Sequence, residues 1–516
     1  MNITNTTGST MSKMEEGSLV AAVDLGSNSF RMEIGRFEHG AIVRVDYLKE
    51  TVRQGAGLDD QRNLTIDSMQ RGWDTLARFG ERLHGFDASQ VRAVATQTLR
   101  EARNRDLFIN KAQQMLGFPI DVIAGREEAR LIYQGVAHAL GGNDEKRLVI
   151  DIGGRSTELI LGQGLAAKQL ESYRVGSVAW ADKHLAHGKL DAASIDQAIV
   201  AAKAVLDEAV PRFGRGWSQA QTQVYGSAGT IGAIADILHA QGNKEDVIEL
   251  QGLHWLRGQL IAAGSVDRLE LPALKDDRKP VLGGGLAILI ALFELLGLQQ
   301  VRSVDAGLRH GVLYDLLDRD SVATDIRSQS VQRLGKRFET DAHQAQRVGQ
   351  VAAQFFEQLQ MSTSDGPELR QRHARKLNWA AQLHEIGALI SHSDCHKHSA
   401  YIIDNADVAG FTQGELHRLS LLVLGHKGKL RKLEADFSNT PFVQQLICLR
   451  LAVLLCHARV PPHLKGFDLS CATHQNRFVL SVPSNWSGRY PQSMHLLQQE
   501  IQAWSKTTWA LDLLVR

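Results

Sequence analysis

The stretch Leu19-Val-Ala-Ala-Val-Asp-Leu-Gly-Ser-Asn-Ser29 decides the fold, because it joins an apolar run to a turn of small residues. The same pattern returns at Arg147-Leu-Val-Ile-Asp-Ile-Gly-Gly-Arg-Ser-Thr-Glu158. In both copies a run typical of a buried strand ends in an aspartate, and glycine then lets the backbone approach an anion closely. One Asp-x-Gly turn is also typical of an ordinary hairpin. Two matching copies predict two facing turns that clamp a phosphate chain and its metal ion.

The pattern around both turns indicates an α/β architecture. Strand-like runs alternate with helical segments up to residue 139, and the order restarts at residue 148, so we expect a duplicated α/β unit. After Asp318 the strand signal largely stops, and residues 328–359 and 369–390 are predicted to form long amphipathic helices. Strand-like runs return only at 467–469 and 477–482, which indicates a small mixed C-terminal part.

Composition places the chain among soluble globular proteins of several domains. It has 516 residues, 43% hydrophobic and 22% charged, and a net charge of +1 that gives no general basic field for nucleic acid. Four cysteines without a CxxC pair favour a reducing compartment. Residues 1–18 lack the apolar core of a signal peptide and are predicted to be a flexible tail. Residues 281–298, interrupted by three glycines and Glu294, predict a buried helix rather than a membrane span, so we expect a cytoplasmic protein.

Several short motifs occur in an order that resembles one protein family. They are Ala22-Val-Asp-Leu-Gly-Ser-Asn-Ser-Phe30, Ala95-Thr-Gln-Thr-Leu-Arg100, Gly125-Arg-Glu-Glu-Ala-Arg-Leu-Ile132, Val149-Ile-Asp-Ile-Gly-Gly-Arg-Ser-Thr-Glu158 and Gly226-Ser-Ala-Gly-Thr230. This set resembles the exopolyphosphatase/guanosine pentaphosphate phosphohydrolase (Ppx/GppA) family. The likeness continues through Leu383-His-Glu-Ile-Gly387 and is greatest for the long four-domain exopolyphosphatases.

The resemblance implies a fold and a set of domain boundaries. The fold would be a duplicated actin-like (ribonuclease H-like) ATPase fold of the α/β class, followed by a helical HD-like domain and a small α+β C-terminal domain. The predicted divisions are a tail at 1–18, actin-like domain I at 19–134, actin-like domain II at 135–320, the HD-like domain at 321–435 and the C-terminal domain at 436–516.

Two adjacent carboxylates are candidates for the general base. Glu127 and Glu128 begin a predicted helix, where the helix dipole favours acidic residues whatever their function. A carboxylate can also accept the proton of a water that attacks a phosphoanhydride. The resemblance implies that Glu128 is the catalytic one.

Three further carboxylates are candidate ligands of Mg²⁺. Asp24 and Asp151 end the two strands, and Glu158 lies seven residues after Asp151 with a turn between them. Mg²⁺ is bound in proteins through one or two carboxylates, water and phosphate oxygens. Glu158 could instead pair with Arg155. The resemblance implies a role for Asp151 and Glu158 in handling metal and water.

The candidate phosphate ligands come from three turns and one strand end. Backbone amides and hydroxyls of the turns would bind phosphoryl oxygens, and the resemblance makes Arg100 a phosphate ligand. The second turn departs from the family, which usually has Gly-Gly-Gly-Ser: Arg155 would either carry backbone strain or contact the phosphate chain. The candidates are Ser27, Asn28, Ser29, Arg100, Gly153, Gly154, Arg155, Ser156, Thr157, Ser227 and Gly229.

Two clusters in the helical part have a functional and a structural interpretation. His384-Glu385, with His396 and nearby histidines, could form a metal site of the HD type, but Glu replaces the expected Asp and favours a scaffold without catalytic metal. The run His426–Lys432 is either a solvated loop or part of a groove for polyphosphate.

The sequence therefore predicts an Mg²⁺-dependent exopolyphosphatase that removes terminal phosphates processively from inorganic polyphosphate. The alternative is removal of the 5′ γ-phosphate of guanosine pentaphosphate (pppGpp), which uses the same motifs. A kinase of the same fold and a non-catalytic polyphosphate- or alarmone-binding regulator are further alternatives. We expect a homodimer, with neither a nucleic-acid partner nor an integral membrane span.

Overall fold

The chain forms two compact units in the computed structural model. The first comprises residues 1–325 and 407–412, and the second comprises 326–406 and 413–516. The structure describes residues 16–38, 41–141, 144–213, 222–318, 326–360, 366–406 and 408–516. Most of the predicted tail at 1–18 lies outside the described residues.

Lobe I of the first unit (residues 16–122) is a five-stranded sheet with helices. Its sheet order is β3-β2-β1-β4-β5, with β1 parallel to β4 and antiparallel to β2. Its core gathers apolar side chains from the sheet and from three helices, including Phe30, Phe79 and Phe108. The elements are β1 (Leu19–Leu25), β2 (Ser29–Glu38), β3 (Ala41–Thr51), α1 (Ile66–Arg82), β4 (Val91–Ala95), α2 (Gln97–Glu101), α3 (Arg105–Leu116) and β5 (Ile120–Val122).

Lobe II (residues 144–303) repeats this topology. In the order β11-β13-β10-β6-β7-β8, strands β8-β7-β6-β10-β13 correspond to β3-β2-β1-β4-β5 of lobe I, with the same antiparallel and parallel neighbours. The duplication predicted from the two turns is therefore confirmed. The strands are β6 (Lys146–Ile152), β7 (Thr157–Gln163), β8 (Ala166–Tyr173), β9 (Lys189–Leu190), β10 (Thr222–Ser227), β11 (Val247–Glu249), β12 (Gly264–Ser265) and β13 (Gln300–Ser303).

The helices of lobe II include the most apolar segment of the chain. They are α5 (Ser177–His184), α6 (Ala192–Leu206), α7 (Ala209–Phe213), α8 (Ala228–His239), α9 (Leu250–Ala263) and α10 (Lys279–Leu296), numbered after α4 (Gly125–Ala139). Among the described residues α10 alone is long and apolar enough to cross a membrane, but 78% of it is buried inside the protein. It packs against α5 and α6 in the core, as its three glycines predict.

Helix α4 and α11 (Leu308–Asp318) pack together between the two lobes. Ile132, Tyr133 and Val136 of α4 join the core of the lobe II sheet. Leu131 of α4 and Val312 of α11 join side chains of β1 and β4 in lobe I. These helices place Glu127 and Glu128, at the start of α4, between the lobes.

The second unit is mostly helical. Its helices are α12 (Ile326–Arg337), α13 (Ala342–Gln360), α14 (Pro367–Leu383), α15 (Cys395–Asp404), α16 (Gln413–Gly425), α17 (Thr440–Leu455), α18 (Ser484–Arg489) and α19 (Pro491–Trp504). A three-stranded sheet of β14 (Asp468–Ala472), β15 (Arg477–Val482) and β16 (Ala510–Val515) completes it.

Two expectations for the second unit are corrected. The predicted helix at 328–359 is broken between α12 and α13, because Glu339 takes a positive φ of 51° and the Asp341 carboxylate accepts a hydrogen bond from the Gln344 amide, 3.0 Å away, near the start of α13. The helix predicted at 369–390 ends at Leu383 and gives way to a short 3₁₀ turn.

Candidate active site

A cavity of about 570 Å³ lies between the two lobes, and both predicted turns line it. Its wall includes eleven of the candidate residues: Asp24, Ser27, Asn28, Ser29, Glu128, Asp151, Gly153, Gly154, Ser156, Ser227 and Gly229. Four candidates lie behind the wall: Arg100, Arg155, Thr157 and Glu158.

The first turn follows β1 and is shaped by its glycine. A Cβ on Gly26 would come within 2.9 Å of the Ser29 carbonyl oxygen, so only glycine fits this approach. The Thr98 hydroxyl donates to the Ser27 hydroxyl, Oγ1 to Oγ 2.8 Å, and so orients it. Among the described residues Asn28 Nδ2 and Ser29 Oγ are buried without a partner. Buried polar atoms of this kind are costly unless a ligand engages them, which is what a phosphate would do.

The second turn follows β6 and faces the first. The Gly153 amide donates to the Ser156 carbonyl oxygen, 2.9 Å away, which closes the turn. Gly154 touches the first turn: a Cβ there would lie 3.0 Å from Ser27 Cβ. The two turns therefore meet across the cleft, as their shared sequence pattern predicts.

Four carboxylates lie close enough to influence one another. Burial raises the pKa of Asp24 to about 6, although Arg31 opposes it. Burial raises the pKa of Asp151 to about 7, with a contribution from the charge of Glu128. Burial, followed by the charges of Glu128 and Asp151, raises the pKa of Glu158 well above its usual range. A cation would relieve this repulsion.

The residues present fit a bound Mg²⁺ ion. Asp24 Oδ1 and Glu158 Oε2 are buried and have no hydrogen-bond partner in the described part of the chain. Asp151 and Glu158 sit opposite each other in the β6–β7 ladder, but Glu158 accepts a hydrogen bond from Ser172 and does not reach the cavity wall. No three His, Cys, Asp or Glu side chains of the described ranges form a ready metal cage. One or two carboxylates suffice for Mg²⁺, because phosphate and water supply its other ligands.

The structure separates the two adjacent glutamates. Glu127 is buried and accepts two hydrogen bonds from Arg130 at 2.7 and 2.8 Å, and a third from the Gly410 amide at 2.6 Å. Glu128 lines the cavity and accepts a hydrogen bond from Arg100, Nη1 to Oε2 2.8 Å. Of the two, only Glu128 can meet a water in the cavity.

Two arginines do not lie where a phosphate ligand is expected. Arg100 donates to Glu128, to the Ile123 carbonyl oxygen and twice to Gln97. Each of its three guanidinium nitrogens is therefore hydrogen-bonded to a protein group. Arg155 bonds to Glu101 and to the Gly55 carbonyl oxygen; its φ is not positive and it does not line the cavity, so neither backbone strain nor a position at the phosphate chain, the two alternatives left open for it, is found.

The Thr157 hydroxyl also bonds to a protein group away from the cavity. Its hydroxyl donates to the Val175 carbonyl oxygen at 2.6 Å, and its side chain is buried. It holds β7 to the loop that precedes α5 instead of facing the cleft.

A third turn opens α8 on the lobe II side of the cavity. Ser227 donates to the Ala306 carbonyl oxygen at 2.6 Å, and Ala228 takes a positive φ of 71°. Gly229 lies directly under the guanidinium of Arg278, where a Cβ would collide with it. A strained residue at a ligand-binding turn is typical of functional sites.

Sequence reasoning missed a basic group in the cavity wall. Arg31 lies opposite Asp24 in the β1–β2 hairpin, with Nη1 3.9 Å from Asp24 Oδ2, and this register was the signal that could have found it. Arg278 and Lys275 come from the charged loop that precedes α10. The sequence of this loop is typical of a solvent-exposed connection, so it did not point to the cavity. Lys49 of lobe I pairs with Asp277 of lobe II at 3.1 Å.

Three histidines of the second unit, His384, His396 and His426, are buried beside one another. The rings of His384 and His426 lie 5.3 Å apart, and those of His396 and His426 lie 6.3 Å apart. Glu385 pairs with Arg459 at 2.9 Å instead of joining them. No metal-holding group is found here among the described residues. In the basic run His426 is buried, whereas Lys427 and Lys429 are exposed.

Comparison with known proteins decides the family. Residues 34–320 match the Ppx/GppA phosphatase family, and residues 326–503 match domain III of the Ppx/GppA phosphatases. The chain belongs to the Ppx/GppA phosphatase family. It is therefore a hydrolase of phosphoanhydride bonds, and the expected actin-like fold is confirmed.

Relatives of this Ppx/GppA chain include two curated proteins named guanosine-5′-triphosphate,3′-diphosphate pyrophosphatase. The one from Aeromonas hydrophila is 39% identical over 507 residues, covering 97% of this chain and 100% of the relative. The one from Vibrio cholerae is 37% identical over 509 residues, covering 98% and 99%. An exopolyphosphatase structure from Cytophaga hutchinsonii, 24% identical with a TM-score of 0.53, covers 58% of this chain and 98% of its own, and supports the fold.

Proposed function

We propose that this phosphatase converts pppGpp and water to guanosine 3′,5′-bisdiphosphate and inorganic phosphate. Full-length similarity to proteins named for this substrate supports the nucleotide over polyphosphate, which reverses the order of the two substrates inferred from the motifs. The basic group of Arg31, Arg278, Lys275 and Lys49 in the cavity wall would serve either substrate, since a nucleotide with a 5′-triphosphate and a 3′-diphosphate, like polyphosphate, needs cations beyond those at the reacting phosphorus.

The observation that carries the chemistry is the position of Glu128. Glu128 lines the same cavity as the two turns, and its carboxylate is oriented by Arg100. In the proposed reaction Glu128 accepts a proton from water while the water oxygen bonds to the terminal phosphorus. The bond between that phosphorus and its bridging oxygen breaks, and the bridging oxygen keeps the electron pair on the nucleotide.

The turns would hold the phosphoryl group during this step. Ser27, Asn28 and Ser29 on one side, and the amides around Gly154 on the other, line the cavity and would donate hydrogen bonds to its oxygens. Asp24 and Asp151 would hold Mg²⁺, which neutralises phosphate charge when bound.

Product analysis tests this proposal. Wild-type protein with pppGpp, Mg²⁺ and ¹⁸O-water is expected to release singly labelled phosphate and leave the 3′-diphosphate intact, as followed by ³¹P NMR. Glu128→Gln is expected to lose 10²- to 10⁴-fold in kcat. Glu50→Gln, a partly exposed glutamate of lobe I, is the matched control. Label in the nucleotide, or full activity of Glu128→Gln, would refute the assignment.

The remaining expectations stay predictions. We propose that the enzyme is a cytoplasmic homodimer that requires Mg²⁺. Analytical ultracentrifugation and activity after removal of divalent cations with EDTA test the dimer and the metal.

A further inference from the structure

Arg155 connects the two lobes beside the active site. Its Nη2 and Nε lie 2.8 and 3.2 Å from Glu101 Oε2, and its Nη1 lies 3.0 Å from the Gly55 carbonyl oxygen. Arg155 belongs to the second phosphate turn in lobe II, whereas Glu101 and Gly55 belong to lobe I. One side chain therefore makes three hydrogen bonds across the cleft.

Both partners of Arg155 belong to segments that contact the candidate catalytic machinery. The Gly55 amide donates to the Ser27 carbonyl oxygen at 2.8 Å, so Gly55 supports the first turn directly. A Cβ on Gly55 would lie 3.0 Å from Arg155 Cδ and 3.2 Å from Ser27 Cβ, so the three residues pack together.

Glu101 ends α2, and two other residues of this short helix contact candidate site residues. Thr98 donates to the Ser27 hydroxyl, and Arg100 donates to Glu128. A shift of α2 would therefore displace both a hydroxyl of the first turn and the candidate base. Arg155 holds the end of this helix.

The backbone of Arg155 is fixed on the lobe II side. Gly176 packs so closely against it that a Cβ there would collide with the Arg155 backbone. The amides of Ser177 and Val178 donate to the carbonyl oxygens of Gly153 and Gly154, both at 2.9 Å. Arg155 therefore extends from a rigid turn and transmits its position to lobe I.

The ion pair is shielded enough to act as a fixed contact. The side chains of Arg155 and Glu101 are 20% and 14% exposed, well below an ordinary surface pair. Burial raises the pKa of Glu101, but hydrogen bonds from Gln97 and the Arg155 charge more than offset it and hold that pKa below its usual value. Glu101 is thus an anion throughout the neutral range.

We propose that Arg155 is a positioning residue that braces the two phosphate turns against each other and, through α2, fixes Glu128. It acts without contacting the substrate, since its side chain does not line the cavity. This inference rests on the hydrolysis proposed above. Misplacement of reacting groups by about 1 Å can cost on the order of 10²-fold in rate.

Separate measurement of kcat and KM distinguishes a residue that positions the two turns (a brace) from a phosphate ligand. Each turn keeps its own donors in Arg155→Met, so we expect KM to change by less than about threefold while kcat falls about 10- to 100-fold. Arg257→Met removes an ion pair with Asp196 elsewhere on lobe II and is the control for charge and stability. A large rise in KM with unchanged kcat would overturn the brace and favour direct phosphate binding. An unchanged kcat and KM would overturn both roles.

A double-mutant cycle and chemical rescue complete the test. Glu101→Gln is expected to lower kcat less than Arg155→Met does, because Arg155 keeps its bond to the Gly55 carbonyl oxygen, and the double variant is expected to match Arg155→Met, in which the contact with Glu101 is already lost. Low millimolar guanidinium is expected to restore part of the kcat of Arg155→Ala, whereas methylammonium does not. Additive losses or no rescue in a normally folded variant, as judged by thermal unfolding, would contradict the brace.

The same experiment separates this inference from the proposed function. If wild-type protein fails to hydrolyse pppGpp, the substrate assignment fails, and the ratio of variant to wild-type kcat is measured on long-chain polyphosphate instead. A ratio near one on the substrate that turns over would overturn the brace alone.

Discussion

Replacing Asp151 with asparagine is expected to stabilise the metal-free protein at neutral pH while abolishing activity. Asp151 is only 7% exposed, and burial raises its pKa from 3.8 to about 7. In the unfolded chain an aspartate ionises near pH 3.9. Between about pH 4 and pH 7 the folded protein therefore binds a proton that the unfolded chain releases. The free energy of unfolding consequently falls as pH rises through this window and levels off above about pH 7.

The magnitude follows from the size of the shift. About three pH units at ~1.4 kcal/mol each give an upper limit of ~4 kcal/mol for the stability lost on ionising Asp151. The asparagine side chain of the variant cannot ionise and has nearly the same shape as the protonated acid. The stability of Asp151→Asn minus that of wild type should therefore grow by about 3 kcal/mol between pH 5 and pH 8.

Urea unfolding in EDTA at pH 5, 6, 7 and 8, followed by circular dichroism, measures this difference. Asp106→Asn is the control, because that side chain is 87% exposed. Its stability relative to wild type should not change with pH. A stability gap for Asp151→Asn that stays constant, or shrinks, as pH rises would refute the argument that an uncompensated buried carboxylate resides here.

Three other perturbations are predicted. Mg²⁺ should raise the thermal midpoint of wild type more at pH 8 than at pH 5, because the ion binds ionised carboxylates. It should raise the midpoint of Asp151→Asn less than that of wild type. Scanning fluorimetry measures these midpoints, and an equal rise of the wild-type midpoint at both pH values would contradict the prediction. Glu127→Ala should lose about 2–3 kcal/mol of stability, because the buried Arg130 keeps its partner Asp315 but loses two hydrogen bonds to Glu127, whereas Glu128→Gln should change by less than about 1 kcal/mol; comparable losses in urea unfolding would contradict this contrast. Ala228→Gly should gain about 0.5–1 kcal/mol by relieving the positive φ, and destabilisation would show that the turn is not strained.

The sequence predicts the turns of the site well because their chemistry is local. An apolar run, an aspartate and glycines within about ten residues define each turn, and the repeat of this pattern predicts the shared topology of the two lobes. The positions of the two strand-end carboxylates can be predicted for the same reason. Asp24 and Asp151 each lie near the end of a strand, at one edge of its sheet.

The arginines could not be placed from the sequence, because their partners are distant in the chain. Arg155 bonds to Gly55 and Glu101, which lie 100 and 54 residues away, and only the packed lobes bring them together. The direction of Arg100 depends on Glu128 in the same way. Strand β16 was also missed, because Ala510–Val515 becomes a strand by pairing in parallel with β15.

The choice of substrate depends on residues outside the motifs. In the proposed reaction the turns and Glu128 would serve any terminal phosphoanhydride, so they do not separate polyphosphate from a nucleotide. Arg278 and Lys275 lie on the cavity wall, but they come from a loop whose charged sequence has no distinctive pattern.

The central claim is tested most directly by competition between the two substrates. Wild-type protein with Mg²⁺ is given pppGpp and long-chain polyphosphate in one reaction, and kcat/KM is obtained for each from the rates of consumption. Full-length similarity to proteins named for pppGpp predicts at least a tenfold preference for this nucleotide, which corresponds to about 1.4 kcal/mol of transition-state binding. Equal consumption, or a preference for polyphosphate, would contradict the account.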